Sequence, residues 1–288
     1  WIFTLLWIVY RRHHVFYSIV GFILAILISG IHLLPNIEAY LHATRGTTEA
    51  KFLFDIYLLP LSHLVTFLAP DFFGNPGTFN YFKEGFYHEK VLYLGIVPLF
   101  FVIYELFMLK RSMSHEKFFA VAGIVTLSLG FSLSTSWFLL YQLKLPFFST
   151  IIPSRIFFLT TFCAAILSAY GIEKYLGLPD KKKMIGILVG LGIILIYLWD
   201  LVVNYTNGPL LKEITTVSLR NLILPTKIFI AMAILLLLGI AKKLRRYVYI
   251  GLVVLTFASS AYFANKYFYF SEKRFVFPEV SVFTQLQK

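Results

Sequence analysis

Six carboxylates fall between residues 35 and 90: Glu38, Glu49, Asp55, Asp71, Glu84 and Glu89. His32, His42, His63 and His88 lie on or beside the same stretch, with Arg45 and Lys51, and Arg155 follows Pro153-Ser154 farther on. Such a set suits group transfer from a phosphate-linked lipid. Cations would hold the phosphate, and a carboxylate would take the proton of an acceptor hydroxyl. Asp55 and His63 stand out because they interrupt an apolar run, 52–69, and ionisable groups at membrane depth are costly and usually functional. A solvated loop accounts for each of the other acids equally well, and interfacial anchoring does so for Arg155. No His/Asp spacing matches a metal site; a divalent cation stays open as a helper at the phosphate. Walker loops, GxGxxG after a strand, HExxH and CxxC do not occur.

These groups need a frame, and composition says what kind. Of 288 residues, 59% are hydrophobic and 14% charged, with mean hydropathy +0.78. Soluble domains run about 45–50% apolar and roughly 25% charged. An ordinary soluble enzyme, a disordered chain and a disulfide scaffold are excluded. Apolar runs of ~18 residues recur, each long enough to span a bilayer as a helix. A membrane β-barrel would alternate apolar and polar residues, which 185–197 does not. The expected fold is all-α and polytopic. The single cysteine, Cys163, sits inside an apolar run and reads as packing.

A net charge of +12 would suggest nucleic acid in a soluble protein. Here the basic residues collect in four short clusters, at 11–14, 110–117, 177–183 and 242–246. These hold 12 Lys/Arg in 24 residues, against 13 in the 118 residues of the other loops. That bias is the positive-inside signature, so the clusters are read as cytoplasmic and no nucleic-acid partner is expected. Complete spans follow at 15–34, 91–109, 118–140, 156–176, 184–203, 226–241 and 247–265, with the end of another over 1–10. Pro225 suits the first turn of the sixth. Crossing by 52–69 would invert every later cluster, so that stretch is read as re-entrant or interfacial on the outer side, inside an outer loop 35–90. Residues 1–265 form the transmembrane domain, and 266–288 begin an extracytoplasmic segment. Both ends lie outside a cell membrane, and the apolar start at Trp1 reads as a piece of a longer protein. Gly171 and the Gly186/Gly190/Gly192 set are read as close helix packing. Glu105 is read as paired or snorkelling near the basic end.

Three stretches carry a resemblance. Leu33-Leu34-Pro35 with Glu38 and Thr44-Arg45 resembles the segment after a span in the YfhO-type family of bacterial membrane proteins. Pro70-Asp71-Phe72-Phe73-Gly74, then Tyr93-Leu94-Gly95-Ile96-Val97-Pro98-Leu99, resembles that family's P-x-x-x-G … Y-x-G-x-x-P-L passage. Pro153-Ser154-Arg155, opening a helix that runs to Ala169-Tyr170-Gly171, resembles its P-x-R … A-x-G helix. Thr44 stands where the family usually has Ser. The resemblance implies a central to C-terminal fragment of a glycosyltransferase-C-like enzyme, which moves a sugar from a polyprenyl-phosphate carrier to a cell-envelope polymer outside the membrane. It also implies that Arg45, Asp71 and Arg155 touch donor or acceptor, and that the main catalytic acid lies upstream of Trp1.

The combined expectation is Asp71 and Asp55 as catalytic carboxylates, with Arg45, Arg155 and His63 at the donor phosphate. The partners would be a lipid-linked sugar, an envelope acceptor and the bilayer. A lipid or polysaccharide transporter would instead need polar residues along a path through the midplane, and most spans lack them. A non-catalytic scaffold would tolerate neutralisation of the outer acids.

Overall fold

The structure, a computed structural model, describes residues 2–12, 14–42, 58–111, 114–143, 152–204 and 209–268. Among these there is no strand, only a single bridge between Leu59 and Phe131. The longer helices are α1 (Ile2–Arg11), α2 (Val15–Ile28), α3 (Gly30–Leu41), α4 (Ile96–Met108), α5 (Ser114–Gly130), α6 (Phe157–Gly177), α7 (Lys181–Asn204), α8 (Pro209–Leu238) and α9 (Arg245–Tyr267). Four stretches are long and apolar enough to cross a membrane: Pro153–Gly177, Lys181–Asn204, Lys212–Leu238 and Lys242–Tyr267. Taking α2 and α3 as one bent span makes five. The chain is an all-α, multi-pass membrane protein.

Several expected spans take a different form. The 15–34 span is bent by 65° where α2 meets α3; the break falls at Ser29-Gly30, a pair that commonly kinks helices. Helix α4 has only 13 residues and α5 only 17. Helix α5 stops early because Leu59 enters its ladder: Leu59 N–H donates to Gly130 O (3.0 Å) and Ser132 N–H donates to Leu59 O (2.8 Å). Of the 52–69 run, the described part holds a seven-residue 3-10 helix, Leu61–Phe67, roughly 14 Å long and too short to cross alone. Pro225 does not open a helix; it lies inside the 30-residue α8. The polar half of α8 before it is amphipathic, with Thr215, Ser218 and Leu222 buried on one stripe, and tertiary packing keeps it helical. Just after the proline, Thr226 Oγ1 donates to Leu222 O and accepts from Trp199 Nε1, which steadies the ladder where Pro removes a donor.

Two compact units divide the chain: Trp1–Pro70 with Glu84–Ile194, and Asp71–Lys83 with Leu195–Lys288. In the first, α4 and α5 pack on α6, burying Phe100, Phe101, Tyr104, Cys163, Leu167 and Tyr175. Gly171 is needed where α6 meets α4, because a Cβ there would sit 2.3 Å from Phe101 O. Helix α1 lays Phe3 and Trp7 against Phe118 and Phe119 of α5.

One end of this unit gathers charge. Lys174 Nζ pairs with Glu105 Oε1 (2.6 Å) and Glu116 Oε2 (3.2 Å), so Glu105 is paired, as read from the sequence. Lys183 Nζ donates to Phe107 O (2.9 Å), and the Tyr10 hydroxyl reaches Ser114 O. Three of the four basic clusters, 11–12, 110–117 and 181–183, therefore meet at one end, as the charge rule requires.

Candidate functional site

Helix α6 has 21 residues and is roughly 30 Å long, and Arg155 lies just before its start, at the end opposite the charge cluster. Pro153 fixes the backbone at the start of a 3-10 turn, Pro153–Ile156, that leads into α6. A helical turn, Tyr87–Lys90, packs against it. The chain after that turn is tied down at Leu92, whose N–H donates to Thr66 Oγ1 (3.1 Å). Thr66 Oγ1 in turn donates to His63 O (2.7 Å).

These ties set one carboxylate beside one guanidinium. Arg155 Nη2 lies 3.2 Å from Glu89 Oε1. The Arg155 side chain is 67% exposed, and the Glu89 side chain only 6%. His88 Nε2 stands 3.9 Å from the same oxygen. The other oxygen, Glu89 Oε2, is buried with no hydrogen-bond partner among the described residues, as is the hydroxyl of Ser154. A buried carboxylate oxygen left unsatisfied costs free energy, and such exceptions often mark a working group. Arginine at a helix N-terminus also faces the positive end of the helix dipole; the Glu89 carboxylate offsets that. Together these groups can do two things. Arg155 can bind an anion from solvent, and Glu89 Oε2 can accept a proton from a hydroxyl brought beside it.

The sequence-derived residues scatter differently. Arg45 and Asp55 lie outside the described residues. His63 is in the same unit as Arg155 but is 3% exposed, within the 3-10 helix that anchors Leu92, so it supports the site rather than facing solvent. Asp71 belongs to the second unit and does not offer a free carboxylate. Its Oδ2 takes Lys266 Nζ at 2.6 Å, and its Oδ1 accepts from Asn75 Nδ2 at 2.8 Å. Its carbonyl accepts from Asn221 Nδ2 (2.6 Å), and the next carbonyl, Phe72 O, accepts from Ser218 Oγ (2.8 Å). Asp71 thus clasps loop 71–80 to α8 and to the end of α9, away from the basic turn that joins them. Both carboxylate oxygens of Asp71 are thus occupied, one by Lys266 and one by Asn75. In the same loop, burial pushes the Tyr81 phenol up to about 12.

Glu89 and Ser154 are the groups that sequence reasoning did not single out. Glu89 was one acid among six, and no local spacing distinguishes it, since its partner is 66 positions away. The described residues contain no group of three or more His, Cys, Asp or Glu placed to hold a metal ion. Comparison of the chain with protein-family models, with curated proteins and with solved structures gives no match.

Proposed function

We propose that the chain is the membrane part of a glycosyltransferase that moves a sugar from a polyprenyl-phosphate carrier to a hydroxyl of a cell-envelope acceptor. The observation that carries this reading is the buried, unsatisfied Oε2 of Glu89 beside the exposed Arg155. Arg155 holds the phosphate of the donor. Glu89 Oε2 takes the proton as the acceptor oxygen bonds to the anomeric carbon, and the carbon–oxygen bond to phosphate breaks, leaving the lipid phosphate on Arg155. The family resemblance supplies the substrate class and the glycosyltransferase-C-like plan of about seven spans. On that plan, α4 and α5 complete their crossings together with the segments that flank them.

The test uses the protein in membranes, with radiolabelled polyprenyl-phosphate sugars. Glu89→Gln is expected to lower kcat by about 10²–10⁴-fold, the usual worth of a general base. Arg155→Ala is expected to raise KM for the donor. Asp71→Asn should reduce the amount of folded protein while leaving turnover per folded molecule near wild type. Wild-type transfer in Glu89→Gln would remove this site from the reaction. Movement of labelled lipid across the bilayer without transfer would favour a flippase.

A further inference from the structure

We propose that the first unit holds one anionic phospholipid in a groove between α4 and α7, at the end where the basic clusters meet. The groove has a volume of about 300 Å³ and is lined by Ile103 and Phe107 of α4 and by Lys183, Gly186, Ile187, Gly190, Leu191 and Ile194 of α7. Sequence alone read Gly186 and Gly190 as helix packing, but a Cβ built on either meets nothing within 4 Å. Their missing side chains open space that no other part of the described structure fills.

The shape and the charge both point to a lipid. From Lys183 to Ile194 the groove runs 11 residues along α7, roughly 17 Å, about half of a ~30 Å hydrocarbon core and so the depth of one leaflet. Its walls are apolar, as an acyl chain requires. At its mouth, Lys183 Nζ caps the carbonyl of Phe107 and touches Met108 Sδ (3.3 Å), with Asp180 Oδ2 at 3.9 Å. Exposed around that mouth are Lys181 and Lys182, and Lys110 on the turn after Met108. Asp180 faces Lys183, and the other two acids named at this end, Glu105 and Glu116, are buried against Lys174, so the exposed lysines leave the mouth matched to a phosphate headgroup that carries net negative charge.

A second copy of the chain fits less well. Two copies in one bilayer share an orientation, so a two-fold contact here would set the two lysine clusters against each other. An isologous contact would also oppose groove to groove, leaving both concavities empty. This inference rests on the bilayer environment and does not depend on the transferase reading.

Native mass spectrometry of the purified chain, released from micelles holding equal phosphatidylglycerol and phosphatidylcholine, tests it. Wild type is expected to retain one phosphatidylglycerol in preference to phosphatidylcholine. Gly190→Leu should fill the groove and cut retention at least tenfold; because the site has room, the variant keeps its helicity. Lys110→Gln with Lys182→Gln alters only exposed side chains and should reduce the preference roughly fivefold per lysine, the worth of a basic residue near an anionic surface. Equal retention of both lipids by wild type, undiminished phosphatidylglycerol on Gly190→Leu, or a dimer in place of the lipid-bound monomer would each overturn the proposal.

Discussion

Lys266 closes onto Asp71 across 195 positions of sequence, with Nζ 2.6 Å from Oδ2. Both side chains are largely shielded, Asp71 at 8% and Lys266 at 20% exposure. Breaking such a pair from one side leaves a charge without its partner in a poor solvent, which typically costs about 3–5 kcal/mol. The pair is partly wetted at Lys266, so Lys266→Met is expected to cost about 2–3 kcal/mol. Asp71→Asn with Lys266→Met should recover part of that loss. Denaturant unfolding in micelles, run as a double-mutant cycle, measures the coupling, and additive losses would mean the two residues do not depend on each other.

The ion triad at the other end of the fold gives a second expectation. Lys174 pairs with two buried acids, Glu105 and Glu116. Lys174→Met is expected to destabilise by at least about 3 kcal/mol, more than Glu116→Gln, which leaves the 2.6 Å pair intact. Thermal melts of the two variants give the ordering, and an equal or reversed ordering would show that Glu105 does not depend on Lys174.

Helix contact makes a sharper contrast between two glycines. Gly171→Ala places a methyl group against a backbone oxygen that cannot step aside, and should cost about 2 kcal/mol or more. Gly21→Ala in α2 meets nothing within 4 Å and should stabilise the helix by about 0.5–1 kcal/mol. Paired unfolding midpoints decide the matter.

Tyr81 supplies the pH dependence. Its phenol is held neutral by burial, with the folded value pushed up to about 12 from 10.0. Stability from this group is fully present below pH ~10, where both states are protonated, and fades as pH rises toward 12 because only the unfolded chain ionises. Difference absorbance at 295 nm between wild type and Tyr81→Phe should show one tyrosine ionising near pH 12. Loss of a component near pH 10 would place Tyr81 in water.

Much of the frame was legible because it follows from local rules. Apolar length announced helices, and the density of lysine and arginine foretold that residues 11–12, 110–117 and 181–183 share one end. The site was less legible because it depends on distant pairings. Nothing near Glu89 separates it from Glu84; only the fold carries Arg155 to it. Asp71 looked free until α9 delivered Lys266. Pro225 misled for a physical reason: its local preference for a helix start was outweighed by the buried stripe of Thr215, Ser218 and Leu222. Glycine alone was also ambiguous, since Gly171 meets a neighbouring helix and Gly190 opens a groove.

The backbone join at Leu59 bears on how the chain is made. Leu59 and Ser132 lie 73 positions apart, and synthesis proceeds at about 5–20 residues per second. Residues near Leu59 leave the ribosome roughly 4–15 s before their partners on the far side of α5. In that interval the amide and carbonyl of Leu59 have no mate, and hydrocarbon would exact a penalty of several kcal/mol for each. Entry of the Leu59 backbone into hydrocarbon before Gly130 and Ser132 arrive would therefore be disfavoured. The join thus ties the backbone pairing of the Leu59 segment to the emergence of the far end of α5.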